Sequence, residues 1–379
     1  MQFPDGVTEQ QFIGQYWQRQ PLLFPKAFSE IAGLISTDEL FSLACRDEVE
    51  SRLVKYNAAT DEYQLEYGPF ERAQLNALGD ETPWTLLVQS VNLWHEGVAK
   101  LINAIRFIPQ WRYDDIMISV ASPGGGVGPH TDQYDVFLCQ IDGTRQWRVG
   151  EQGQAIKEAE SNSELQLIAP FSAKIDEQLS IGDMIYVPPA TPHEGTSITY
   201  GMTLSIGFRS PSSSELGMML AEEITHKDSY YRDPSELAVQ HPYEITPKAM
   251  HSLKDWFTQS FDDKSLYLAF GKLQTQPKQE LLLADFECPI SKWLEQGHMV
   301  MRDPAARIAW WQEQQIIHLF CNGEHQEFCA DAMTFINEIT EMQDIDLHNI
   351  SSYIGQNEFH DILNFLADVG FYGTLNPDE

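Results

Sequence analysis

Two segments constrain this chain more than any other feature: PGGGVGPHTDQYD at residues 123–135 and YVPPATPHEG at 186–195. His130 and Asp132 form an H-x-D pair. Side chains at i and i+2 of an extended segment point the same way, so His130, Asp132 and Tyr134 are expected to share one face. His193 lies 63 residues beyond His130, too far for a local metal clip. A fold that uses all three must therefore bring two distant strands together, which a barrel does. Two imidazoles and one carboxylate held in this way make a facial triad that leaves open positions on a non-heme Fe(II) ion. An isolated H-x-D is usually ordinary polar surface. Here it follows a Gly-rich turn and precedes the apolar strand VFLCQI, while His193 follows a Gly182-Asp183 turn, the strand MIYV and Pro188-Pro189.

Arg145 comes next, after the turn Asp142-Gly143-Thr144, which reads as a hairpin connection. Strand parity places Arg145 with Trp147 and Val149 on one face. A guanidinium facing an apolar interior is costly unless an anion meets it. The far carboxylate of 2-oxoglutarate would do so bidentately; a protein carboxylate, or a position on the rim, is the alternative. Residues 115–121 set Asp115, Met117, Ser119 and Ala121 against Ile116, Ile118 and Val120. Residues 202–208 likewise set Thr203, Ser205 and Gly207 against Met202, Leu204, Ile206 and Phe208. Such alternation predicts strands. Either the polar faces line a pocket beneath an outer apolar layer, or they face solvent.

With these residues in view, the stretches YWQRQPLLFPKAF, GGGVGPHTDQYDVF, RQWRVG, GDMIYVPPATPHEG and SIGFRS resemble the JmjC-type cupins. Within them the chain is similar to the bacterial ribosomal oxygenases that hydroxylate an arginine of large-subunit ribosomal protein 16. The likeness runs over nearly the whole chain. It implies a mainly β fold with α, a double-stranded β-helix (cupin or JmjC jelly roll), plus a helical dimerisation segment and a C-terminal winged-helix-like α+β domain. The expected boundaries are 1–210, 211–272 and 273–379. The resemblance further implies Fe(II) on His130, Asp132 and His193, with 2-oxoglutarate and O2 as co-substrates. Arg145 and Ser119 match positions that hold 2-oxoglutarate, and Asp115, Tyr134 and Ser205 match positions that contact the target side chain. Asp115 suits a cationic arginine, although it could instead cap a strand end.

Composition limits the partners. The chain has 379 residues, 42% of them hydrophobic, enough for two or three cored domains, and a net charge of −32. That charge argues against direct nucleic-acid binding, because phosphate contacts need a basic surface. It favours a cationic partner such as a basic ribosomal protein, steered by long-range attraction; simple solubility or adaptation to salt is the alternative cause. No signal peptide or apolar run of about 18 residues is evident, so a membrane location is not expected. Cys45, Cys139, Cys288, Cys321 and Cys329 are scattered, and Cys321, His325 and Cys329 lack the paired spacing of a zinc site. Reduced thiols and a cytoplasmic location are expected.

Elsewhere, Thr8 and Gln11 offer a capping box opening a helix through Trp17, with Val7 and Phe12 as a staple. ELGMMLAEEITHK and TPKAMHSLKDWFTQSF read as helices suited to pairing with a second copy, giving a homodimer, although Met218, Met219 and Leu220 could be ordinary core. IIHLFCNGEHQEF reads as a hairpin turning at Asn322-Gly323. Phe359, Ile362, Leu363, Leu366 and Val369 make a helical stripe ending at Gly370. Winged-helix folds often bind DNA, but residues 273–379 carry 4 Lys plus Arg against 18 Asp plus Glu, so protein contact is the better expectation. The alternatives in function are an oxygenase acting on a histidyl or methylated lysyl side chain, and a non-catalytic metal-binding cupin scaffold.

Overall fold

The computed structural model describes residues 1–79, 81–157, 165–224, 230–234, 241–260, 262–286, 288–356 and 358–374. Two compact units emerge, Met1–Ser210 and Pro211–Glu379.

The first unit holds eleven strands among the described residues: β1 Leu22–Phe24, β2 Ser51–Asn57, β3 Glu62–Tyr67, β4 Trp84–Val88, β5 Tyr113–Ala121, β6 Val136–Asp142, β7 Arg145–Val149, β8 Ile175–Leu179, β9 Met184–Val187, β10 His193–Ser197 and β11 Gly201–Phe208. They form an eight-stranded sheet in the order β1-β9-β6-β11-β5-β4-β2-β3 and a three-stranded sheet in the order β10-β7-β8. Every pairing among the described strands of this unit is antiparallel. The Gly143 turn therefore does not close a hairpin. It carries the chain from β6 in one sheet to β7 in the other, with Gly143 at φ +64 and its N–H bonded to Asp142 Oδ1 at 2.9 Å.

The alternation along β5 and β11 resolves with the apolar faces outward under a helical cover. Ile116, Ile118, Val120, Met202, Leu204 and Ile206 join Leu40, Val91 and Ile105 in one large core. Each such fully buried side chain contributes about 1.5–3 kcal/mol. Phe12, Phe24, Phe137 and Tyr186 form an aromatic knot within it, with ring centroids 5.0–5.9 Å apart. Phe12 gets there because the Thr8–Gln11 capping box forms as expected, after which the helix widens into a π-turn over Phe12–Tyr16. A smaller core of Val136, Leu138, Trp147, Val149, Leu179, Ile185 and Val187 fills part of the space between the sheets. The polar faces of β5 and β11 occupy the rest.

In the second unit, helix Asp263–Thr275 packs against helix Ser213–Ile224, where Lys272 Nζ lies 2.6 Å from Glu223. The expected first helix thus forms, although Thr225, His226 and Lys227 lie outside the described residues. Helix Pro247–Gln259 buries none of its residues. Strands β12 Val300–Arg302, β13 Ile308–Glu313, β14 Ile316–Cys321, β15 Glu324–Cys329, β16 Asp344–Ile345 and β17 Tyr372–Gly373 follow. The hairpin turns at Asn322 (φ +49) and Gly323 (φ +87), the left-handed pair a type I′ turn requires. Phe359, Ile362, Leu363 and Leu366 of helix Phe359–Asp368 enter the core of this unit, and Gly370 (φ +71) ends that helix.

Candidate active site

The metal-ligand types expected from sequence converge. His130 and His193 exchange both backbone hydrogen bonds, at 3.0 and 2.9 Å, as an isolated antiparallel bridge. Their ring centroids lie 4.2 Å apart. Asp132 Oδ2 lies 3.9 Å from His130 Nε2 and 3.5 Å from His193 Nε2. Residues 130–135 are not a strand, however. Beyond the single bridge the segment is a loop, tied by the Ala190 N–H to the Asp132 carbonyl at 2.6 Å. Buried Asp135 anchors its far end, accepting from Tyr186 Oη at 2.5 Å, Gln18 Nε2 at 3.0 Å and Arg112 Nη2 at 3.2 Å. The Gly-rich turn that leads in packs flush on neighbouring backbone: a Cβ on Gly126 would meet the Gly195 carbonyl at 2.5 Å.

Outer contacts orient the two rings. His130 Nδ1 lies 2.9 Å from the Gly128 carbonyl and His193 Nδ1 lies 3.0 Å from the Thr191 carbonyl. Nδ1 of each ring is thus held by a carbonyl, which leaves Nε2 as the atom turned toward Asp132. Burial, with His193 beside it, pushes His130 down to about 4. Burial would raise Asp132, but the hydrogen bond and charge of His193, then His130 and the Tyr134 hydroxyl, outweigh it and leave the carboxyl at about 2. Two imidazoles and a carboxylate, each imidazole oriented by an outer carbonyl, are the donor set an open Fe(II) site requires.

Arg145 lies in the interior, 4% exposed, on the buried face it shares with Trp147 and Val149 as parity predicted, and not on the rim. Its Nη1 donates to Thr203 Oγ1 at 3.2 Å and Ser119 Oγ at 3.4 Å, its Nη2 to the Gly195 carbonyl at 3.1 Å, and it lies over Trp147 at 5.2 Å. Its Nε has no partner, and no carboxylate pairs with it among the described residues. Burial lowers the guanidinium to about 10. Because Gly195 and His193 are two residues apart on β10, arginine and imidazoles are separated by roughly 7 Å of strand. Gly195 must lack a side chain here, since a Cβ would meet Trp147 at 2.7 Å and Arg145 Nε at 2.8 Å.

Asp115 is buried, with Oδ2 accepting from Gln89 Nε2 at 3.0 Å and from the Ser90 N–H and hydroxyl at 3.2 Å. Tyr134 is half-exposed beside Asp132, which with burial pushes its phenol up. Ser205 is buried on the Thr203 face of β11. Sequence reasoning assigned no role to Thr203, Gln140 or Trp147. Thr203 accepts from Arg145 while donating to Gln140 Oε1 at 2.9 Å. Its position on the polar face of residues 202–208 was the available signal; Gln140, inside an apolar strand, gave none.

A double-stranded β-helix with a two-histidine, one-carboxylate cluster beside a buried arginine is the arrangement of JmjC-type oxygenases. Comparison with known proteins agrees. A JmjC domain model matches residues 100–216 and a ROXA-like winged-helix model matches residues 251–373. The chain is 40% identical over 306 residues to the ribosomal protein uL16 3-hydroxylase of Escherichia coli K12, covering 78% of this chain and 80% of that protein. It is 34% identical over 226 residues to a probable ribosomal oxygenase of Haemophilus influenzae, covering 59% and 55%. The X-ray structure of E. coli YcfD superposes with a TM-score of 0.80 at 33% identity over 98% of this chain and 99% of that one. The ribosomal oxygenase YcfD in complex with cobalt and 2-oxoglutarate matches with the same score, identity and coverage. The chain belongs to the JmjC-domain ribosomal oxygenase family that includes the uL16 3-hydroxylase.

Proposed function

We propose that this chain is an Fe(II)- and 2-oxoglutarate-dependent oxygenase that hydroxylates an arginyl side chain of large-subunit ribosomal protein 16. The observation that carries the reading is Arg145. A buried guanidinium with an unsatisfied Nε and only neutral acceptors is costly by itself, and a dianionic co-substrate supplies the missing charge. His130, Asp132 and His193 would hold the metal, and Arg145 with Ser119 and Thr203 would hold the far carboxylate of 2-oxoglutarate. When bound, iron with 2-oxoglutarate and O2 supplies the oxidation: the substrate C–H becomes C–OH while 2-oxoglutarate becomes succinate and CO2. The chain itself binds, orients and excludes water. Asp115, fixed by Ser90 and Gln89, would face the target guanidinium, with Tyr134 and Ser205 beside it.

The acidic chain, at −32, suits a basic ribosomal protein. Helix Pro247–Gln259 leaves Met250, Leu253 and Phe257 exposed, and we read residues 211–272 as the segment through which two copies pair. Residues 273–379 then serve as a winged-helix-like domain for protein contact. One experiment tests the core of this: incubation of the iron-loaded protein with 2-oxoglutarate and ribosomal proteins, followed by intact-mass measurement. A gain of one oxygen on protein 16, absent with Arg145→Ala, is expected. Formaldehyde release without stable hydroxylation, or an unmodified protein 16, would refute the assignment.

A further inference from the structure

The winged-helix portion carries a second group of metal-ligating side chains, remote in sequence from the first. In β14 and β15, His318 pairs directly across from Glu327, and Phe320 across from His325. His325 and Glu327, two residues apart, share a face with each other and with His318. That face is opposite the one on which Leu319, Cys321 and Phe328 enter the core of this unit. His318 is fully buried there, its ring stacked on Trp311 of β13 (centroids 4.4 Å apart, planes at 18°) and nearly coplanar with that of His325 (centroids 5.2 Å apart, planes at 15°). His318 Nδ1 and His325 Nε2 share a hydrogen bond at 3.0 Å, and His318 Nδ1 lies 3.7 Å from Glu327 Oε1. One ligand atom from each residue falls within 4.8 Å of the others.

We propose that His318, His325 and Glu327 bind one borderline divalent cation, represented by Zn(II), on the β14–β15 hairpin. The ligands are of the right kind. Burial holds both imidazoles down, His325 to about 4, so at neutral pH a single proton bridges the two facing nitrogens, and an ion would take its place with each ring protonated on its other nitrogen. Two nitrogens each at about 2.0–2.1 Å from a tetrahedral zinc sit roughly 3.3 Å apart, so an ion that replaces the shared proton requires the two rings to tilt and part by a few tenths of an ångström. Two imidazoles and one carboxylate select zinc, nickel or copper over magnesium or calcium. Three protein ligands leave a fourth position for water, on the side where half-exposed Glu327 meets solvent.

Two features set the strength of the site. Lys264 Nζ lies 2.8 Å from Glu327 Oε1, so the ammonium competes with the cation for this oxygen. His318 Nε2, which must carry the proton when Nδ1 is a ligand, has no acceptor. Missing outer-shell support of this kind lowers metal affinity by about 10–100-fold. The site is therefore weaker than a closed structural zinc centre, and it responds to the concentration of free ion. Occupied, it would pin the hairpin and raise the stability of the unit that carries it.

The test uses the full chain with His130→Ala plus Asp132→Ala, which disables the first cluster. Zinc is titrated against a chromophoric chelator, and thermal melting is followed with and without zinc. One zinc per chain and a zinc-dependent rise in melting temperature are expected. His325→Ala added to this background removes both, and Glu327→Gln, a surface change that leaves the fold intact, weakens binding. Lys264→Met should tighten it by about two- to fivefold, the worth of an exposed ion pair. Absence of zinc binding in the double variant, or unchanged binding after both His325→Ala and Glu327→Gln, overturns the proposal. Circular dichroism of each variant separates lost ligation from lost folding.

Discussion

Arg145→Met separates what the arginine does for binding from what it does for folding. In the ligand-free protein its three hydrogen bonds go to neutral oxygens at 3.1–3.4 Å. Bonds from a charged donor contribute about 1.5–3 kcal/mol each at good geometry, and these long contacts to neutral oxygens fall at or below the lower end of that range. Against them stands the desolvation of a guanidinium without a counter-ion, several kcal/mol after relaxation. The variant without ligand should therefore be as stable as the parent or more so, by up to about 2 kcal/mol. Binding should move the opposite way. A bidentate charge-assisted pair represents two contacts of about 1.5–3 kcal/mol each. Their loss weakens 2-oxoglutarate affinity by roughly 10²–10⁴-fold at about 1.4 kcal/mol per decade. Urea unfolding measures the first quantity, and calorimetric titration of 2-oxoglutarate with Co(II) present measures the second. Affinity within threefold of the parent, or a ligand-free variant destabilised by more than about 3 kcal/mol, would refute the reasoning.

Thr203→Val removes the nearer of the two acceptors of Arg145 Nη1 and strands Gln140 Oε1. A loss of about 1–3 kcal/mol in stability is expected, with KM for 2-oxoglutarate rising more than kcat falls; an unchanged KM would argue against the contact. His130 stays neutral in the fold down to about pH 4, whereas the unfolded chain takes up its proton near pH 6.5. Its contribution is thus constant above pH 6.5 and turns destabilising as pH falls from there toward 4, at about 1.4 kcal/mol per unit. Unfolding of the metal-free protein at pH 7.5, 6.0 and 5.0 should show that decline, shallower in His130→Gln. Burial raises the Cys139 thiol to about 12 and raises Cys321 further, while Cys329 is exposed. Alkylation followed by peptide mapping should find Cys329 labelled in the native protein, and Cys139 and Cys321 only in denaturant.

What the sequence made legible was parity. The alternation in residues 115–121 and 202–208, and the Arg145, Trp147, Val149 series, gave the correct same-face sets because a strand repeats every two residues whatever it pairs with, but it left open which face turns inward. The convergence of His130 and Asp132 followed from spacing, yet for a different backbone, since 130–135 is a loop fixed by Asp135 and by the His193 bridge. The turn at Gly143 was visible; its partner sheet was not, because turn chemistry specifies a local bend and says nothing about which strand the emerging segment meets. Gln140 stayed hidden within VFLCQI for the same reason. Its role depends on Thr203, 63 residues away, approaching from β11.

The group of His318, His325 and Glu327 shows the limit from another side. In sequence, Cys321, His325 and Cys329 drew the eye because they are close together. The hairpin register instead pairs His318 with Glu327 and sends Cys321 into the core on the opposite face. Linear proximity and spatial proximity coincide on a hairpin only for residues of matching parity about the turn. The same rule operates in the first unit. There the outer apolar face of β5 and β11 supplies the burial that stabilises the sheet, so the inner face is free to hold serine, threonine and an uncompensated arginine. The low-dielectric interior that makes this arginine costly also strengthens its pull on a carboxylate. Disabling the chamber should thus cost affinity long before it costs the fold.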